Sequence, residues 1–368
     1  MQIKPHLREI ERKTFMPSDV LAILYGKEGF SGLNCRGGVR YLGFPSRVSK
    51  IIDKYDWSTG MWQIGDITYD SLRKEVCRFW SDYVDLTPEH IKIGYGSMQI
   101  LERINKMFLE RGTRVLGYSP QFTEYVTEVI LSGAYYKGVP LNPEQNFRFD
   151  VNKFLSEISS DYCLIYIDNP NNPTGQLIDL IEIEEIIKNA RKKDVTVLVD
   201  EAYADYAGKE DSAINLIDRY KNLIVTRTFT KGYQFAGIRV GYGVFPSELS
   251  DYYDKIDIPF SVPAIGSCLA REALLDKKFI AGLRNRVKRI KEKLLRELRE
   301  KNYFISNTLE TCPIFTLGQK DESCDLKSYL LDKGILTLSG SDYINLGKNY
   351  VRVTIPSRAE DFLDRLAA

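Results

Sequence analysis

Residues 162–203 read YCLIYIDNPNNPTGQLIDLIEIEEIIKNARKKDVTVLVDEAY, and the order of patterns within them decides the fold. YCLIYIDN (162–169) and VTVLVDEAY (195–203) are short apolar runs rich in branched and aromatic residues, the composition of buried strands. Between them, IDLIEIEEIIKNARKKD (178–194) carries apolar residues at helical spacing and basic residues at its end, as a helix C-terminus prefers. Alternation of this kind predicts an α/β sheet of mostly parallel strands with helices on both faces.

The same alternation extends outward from about residue 90 to 245. TRVLGYS (113–119) and NLIVTRTFT (222–230) repeat the strand pattern. SMQILERINKMFLERG (97–112) repeats the helical one and is expected to end at Gly112. After residue 250 the pattern changes to a long charged helix near KKFIAGLRNRVKRIKEKLLRELREKN, followed by short strands with VRVTIPS (351–357) near the end. A large domain over residues 37–250 is therefore expected. A smaller α+β domain should combine residues 1–36 with 251–368, because chain ends often dock together.

The 368 residues are 43% hydrophobic, enough for a large core. The net charge of +1, from 51 basic and 50 acidic residues, gives no reason to expect nucleic acid or an anionic membrane as partner. No apolar run approaches the ~20 residues of a membrane span. The N-terminal MQIKPHLREIERK is charged and has no apolar centre, so no signal peptide is expected. Six scattered cysteines without a C-x-x-C pair suit reduced thiols in a cytoplasmic protein. With only His6 and His90, a His-rich metal site is excluded and no metal is expected. A Ser-His or Cys-His pair is equally disfavoured. Chemistry must come from Lys, Asp, Tyr, Arg or a cofactor.

Open α/β sheets bind ligands at the carboxyl ends of their strands. DNPNNPTGQ (168–176) follows one strand as a turn that could also present amides. VDEAYADY (199–206) puts Asp200 at the end of another, where a carboxylate is costly unless paired or bonded. An ion pair, a helix cap or a cationic ring nitrogen would each satisfy it. GYGSMQI (94–100) opens a helix and offers backbone N–H groups to a phosphate. Phe122, in SPQFTEY, is a core residue or a stacking face. TRTFTKGYQFAGIRVGYG (226–243) sets Lys231 beside Thr228 and Thr230, with Arg239 eight residues on. Pyridoxal phosphate has a partner for each: an aldehyde, a pyridine nitrogen, a phenolic oxygen, a flat ring and a phosphate.

N-P-N-N-P-T-G, V-D-E-A-Y, and T-K followed by A-G-I-R-V-G-Y occur here in the order found in fold-type I pyridoxal-phosphate enzymes of the class I/II aminotransferase superfamily. The chain resembles that group, above all histidinol-phosphate aminotransferases and threonine-phosphate decarboxylases. The resemblance implies that Lys231 forms the Schiff base and that Thr228, Thr230 and Arg239 hold the phosphate with the N–H groups of Ser97 and Met98. It also implies Asp200 at the pyridine nitrogen, Asn172 and Tyr203 at the phenolic oxygen, Phe122 stacked on the ring, and Asn34 and Arg352 on the substrate. It implies a homodimer exchanging nitrogen between an amino acid or amine and a keto acid. Decarboxylation at the same carbon, or a non-catalytic regulator on the same fold, are the alternatives.

The substrate side departs from the group. No arginine lies between Lys333 and Lys348, where the group's phosphate-binding arginine would fall at Leu338. GMWQIGDITYDSLR replaces its Tyr-Pro-Asp segment, leaving Trp62 or Tyr69 as substitutes. LNCRGGVRYLGFP introduces Arg36 and Arg40. Either the substrate has no phosphate or Arg36 or Arg40 supplies the charge for one, and the expectation is an α-amino acid without phosphate.

Overall fold

The computed structural model describes residues 3–8, 12, 14, 18–25, 29–37, 43–56, 58, 66 and 68–368. Trp62 and Arg40 lie outside them. The short strand β1 (Leu33–Asn34) precedes the large sheet, which is built from β2 (Ile91–Gly94), β3 (Arg114–Ser119), β4 (Tyr135–Pro140), β5 (Leu164–Asp168), β6 (Thr196–Asp200), β7 (Leu223–Thr228) and β8 (Gly241–Val244). Their spatial order is β2-β8-β7-β6-β5-β3-β4. β8 runs antiparallel to both its neighbours, and the remaining pairs are parallel.

Side-chain alternation explains the two-sided burial. Ile165, Ile167, Val197, Val199, Leu223 and Val225 join one apolar cluster, with the helices Asp70–Trp80, Leu180–Arg191 and Ala264–Leu274 over them. Leu164, Tyr166, Leu198 and Ile224 join another, under the helices Ser97–Phe108, Thr123–Leu131 and Ser247–Asp254. Period-two strands between amphipathic helices leave both faces dry, as the sequence pattern required.

One expected boundary moved. The helix opening at Ser97 ends at Phe108, because Leu109 is already extended (φ −107, ψ 131). Gly112, at φ +94, serves the turn into β3 instead.

The smaller lobe holds an antiparallel sheet ordered β12-β13-β10-β9, from β9 (Phe304–Ile305), β10 (Ile314–Gly318), β12 (Leu338–Ser339) and β13 (Tyr350–Thr354). β11 (Ile335–Leu336) pairs in parallel with β1. The long helix Lys277–Glu300 covers this lobe with Leu283, Val287, Leu294 and Leu298.

Candidate active site

Register sets the site. Asp168, Asp200 and Thr226 pair in one row across β5, β6 and β7. The turns after these strands, 169–175, 201–206 and 229–231, therefore emerge together. Gly241 pairs with both Gly94 and Thr228, which brings the start of helix Ser97–Phe108 to the same edge. A Cβ on Gly241 would lie 2.6 Å from Ser97 N, so only glycine permits this approach.

Gly96 caps that helix at φ +80 without a side-chain bond to the first turn, so its leading N–H groups remain for an anion. Arg239 takes the left-handed conformation (φ +59), which costs a non-glycine residue ~1–2 kcal/mol. Its Nη2 lies 3.0 Å from where a Gly96 Cβ would stand and donates to Tyr95 O at 3.4 Å. Thr228 Oγ1 lies 2.8 Å from Thr230 Oγ1 and accepts the Thr230 N–H at 3.2 Å. Ser97 is buried and Met98 half-buried beside them. Helix N–H groups, two hydroxyls and a guanidinium form a cradle suited to a phosphate.

Three acids occur in DEAYAD, and they meet different fates. Arg227 pairs with Glu201 (2.8 Å) and Asp205 (2.6 Å), all buried. Asp200, 2% exposed, receives two hydroxyls, Thr226 Oγ1 at 3.0 Å and Tyr166 Oη at 3.1 Å, and the backbone N–H of Ala202. Among the described residues it has no cation within ion-pair distance, so the ion-pair explanation offered by the sequence falls away, while the Ala202 N–H gives it one local backbone bond. Burial pushes its pKa up to about 6, against the pull of those three donors. Such a carboxylate could take a protonated ring nitrogen as an ion-pair partner.

Lys231 follows on the same edge, its Nζ 5.3 Å from the centre of the Tyr203 ring. Tyr203 is buried, and the neighbouring Tyr206 hydroxyl donates to Lys231 O at 3.2 Å. Asn172 is fixed through its carbonyl oxygen, which accepts from Arg352 Nη1 (3.1 Å) and Tyr343 Oη (3.3 Å). That assignment leaves its NH₂ to donate elsewhere. Arg352 is 6% exposed, with no carboxylate in ion-pair distance among the described residues. Its Nη2 donates to Arg36 O, which draws the 34–36 segment to the site. Asn34 itself accepts from Arg36 N at 3.1 Å. Phe122 stands half-buried before the helix Thr123–Leu131, where it also packs into the core.

Leu338 is buried and pairs with Arg352 across β12 and β13. Tyr69 does not offer its hydroxyl outward, because it accepts from Val262 N at 3.0 Å. Tyr166, Thr226 and Tyr343 were missed by sequence reasoning. The first two carried a signal, as polar residues inside otherwise aliphatic strands. Tyr343 carried none, since its partner Asn172 is 171 positions away.

The family model for aminotransferase class I and II matches residues 49–368. The chain belongs to this family. A histidinol-phosphate aminotransferase of Caldanaerobacter subterraneus subsp. tengcongensis is 33% identical over 306 residues, which are 81% of each chain. Another, from Methanocaldococcus jannaschii, is 30% identical over 317 residues, covering 84% of this chain and 81% of the relative. The crystal structure of histidinol-phosphate aminotransferase from Sinorhizobium meliloti in complex with pyridoxal-5'-phosphate superposes with a TM-score of 0.83. It covers all of this chain and 95% of that one at 21% identity. The protein is thus an aminotransferase of the fold-type I superfamily, and its cofactor is pyridoxal 5'-phosphate. Among the described residues of this aminotransferase, no helix is long and apolar enough to cross a membrane.

Proposed function

We propose that this aminotransferase takes nitrogen from an α-amino acid that carries no phosphate and delivers it to a keto acid. The observation that carries the proposal is Arg352, a buried guanidinium with no carboxylate partner among the described residues, lying beside Leu338. A fork of N–H donors matches the two oxygens of an α-carboxylate. Leu338 offers a phosphate no cation of its own, and a buried dianion would need one beyond the Arg352 guanidinium that the α-carboxylate takes.

Bound pyridoxal phosphate supplies an electron sink for charge that develops at the substrate α-carbon. In this reading Ser97, Met98, Thr228, Thr230 and Arg239 would hold the phosphate, and Asp200 would keep a proton on the ring nitrogen. Asn172 and Tyr203 would donate to the phenolic oxygen, and Phe122 would cover the ring. Lys231 Nζ would bind the aldehyde carbon, and its amine would be the group that carries the substrate α-proton. Asn34 and Arg352 orient the substrate.

Arg352→Ala should raise KM for the best amino acid by ~10²-fold, since losing a buried charge-assisted contact costs a few kcal/mol. A panel of amino donors provides the companion test. Fast turnover of histidinol phosphate, with unphosphorylated amino acids inert, would show the substrate assignment to be wrong.

We further propose a cytoplasmic homodimer, by analogy with the family. Sedimentation at micromolar concentration should give a dimer, and a fully active monomer would contradict it. The lobe division at residues 37–250 is likewise proposed. Pairing of β1 with β11 supports it, while Leu269, Ala270, Ala273 and Leu274 of the helix Ala264–Leu274 lean on the large lobe's core.

A further inference from the structure

Helix Lys277–Glu300 turns a core stripe of Leu283, Val287, Lys291, Leu294 and Leu298 toward the small lobe. One member of that stripe is a lysine, only 1% exposed. Among the described residues no carboxylate lies within ion-pair distance of its ammonium. Its Nζ instead donates to Thr308 Oγ1 (2.6 Å), Leu309 O (2.8 Å) and Cys312 O (2.7 Å), with Ile314 O at 3.1 Å. A leucine or methionine would fill the stripe without burying a charge. Whatever retains the lysine lies in what those four oxygens belong to.

All four come from residues 308–314, which have no regular structure until β10 begins at Ile314. The same stretch is docked on the asparagine turn. Leu309 N donates to Gly175 O at 2.8 Å, and Ser306 Oγ donates to Thr174 O at 3.0 Å. Gly175 stands at φ +74, with Ile314 O 2.2 Å from where its Cβ would be, so the two backbones meet directly. Asn172, three positions earlier, holds Arg352. Arg352 in turn faces Thr316 in the β10–β13 register. One ammonium therefore fastens the segment that joins both sides of the Asn172–Arg352 contact.

We propose that Lys291 is a positioning residue for the substrate carboxylate, acting by fixing segment 308–314 and through it the asparagine turn and Arg352. The proposal rests on reading Arg352 as the partner of that carboxylate. The test uses the holoenzyme and the variants Lys291→Met, Thr308→Val and Arg352→Ala. KM and kcat are read for the best amino acid, affinity for 3-phenylpropionate by calorimetry, and Tm by scanning. Lys291→Met should raise KM by ~10-fold and weaken the acid equally, because small misplacements of binding groups are costly. kcat should stay within ~2-fold, and Tm should hold or rise, as replacing a buried charge by an apolar side chain allows. Thr308→Val should act in the same direction at ~3-fold, and it carries the test alone if Lys291→Met does not fold. KM and acid affinity within ~2-fold of wild type in the folded variants, while Arg352→Ala raises KM, would overturn the role of Lys291 alone. An unchanged KM in Arg352→Ala would overturn the carboxylate reading and this proposal with it.

Discussion

Lys231→Ala should lose turnover by at least ~10²–10⁴-fold, the usual contribution of one positioned proton-transfer group, with further loss from the missing amine nucleophile. The Thr228–Thr230 pair and the helix start at Ser97 do not depend on the lysine. The variant should therefore still bind pyridoxal phosphate, though without a covalent link. Steady-state transamination with the best donor measures the first point, and equilibrium dialysis of the cofactor measures the second. Turnover within tenfold of wild type would remove Lys231 from the chemistry.

Asp200→Asn is expected to have the second largest effect. The amide keeps the shape of the carboxylate and still accepts from a hydroxyl, so the fold should survive. The charge opposite the ring nitrogen is lost. Removing one partner of a buried charge pair typically costs ~2–5 kcal/mol, or roughly 30- to several thousand-fold in kcat/KM.

A pH signature accompanies it. Burial pushes Asp200 up to about 6 and Asp168 up to about 7 in the cofactor-free protein. The unfolded chain releases these protons near ~4. The folded protein thus holds protons that the unfolded chain has lost, so cofactor-free stability should fall as pH rises from ~4 through about 7. A cationic ring nitrogen offsets the Asp200 part of this loss. The gain in Tm on adding pyridoxamine phosphate, which cannot bond to Lys231, should be larger at pH 8 than at pH 5. Asp200→Asn should flatten that difference. An equal gain at both pH values in the wild type would contradict the pairing.

The strands and helices of the large lobe were legible because a period of two and a period of 3.6 are local properties. The ends of β5, β6 and β7 were legible for the same reason, and with them Asp168, Asp200 and Thr228. What local pattern could not provide was the division of labour among neighbouring acids. Asp200, Glu201 and Asp205 look alike in sequence. Arg227, on the adjacent strand, takes Glu201 and Asp205 and leaves Asp200 to hydroxyls and one backbone N–H. Tyr343 was illegible because its partner Asn172 lies 171 positions away, and the oxygens that hold Lys291 were illegible because three of the four are backbone. The spacing 283, 287, 291, 294, 298 did place a lysine inside an apolar stripe, a signal available before any coordinates. The helix end at Phe108 was missed because Gly112 can stop a helix or make a turn, and here it makes the turn.

The central claim is that Lys231 forms the covalent link to pyridoxal phosphate at this site. Borohydride reduction of the purified yellow protein, followed by peptide mass mapping, tests it most directly. The account predicts loss of the visible band and a phosphopyridoxyl adduct on the peptide containing Lys231. An adduct on another lysine, or a colourless protein that gains no band with added pyridoxal phosphate, would contradict it.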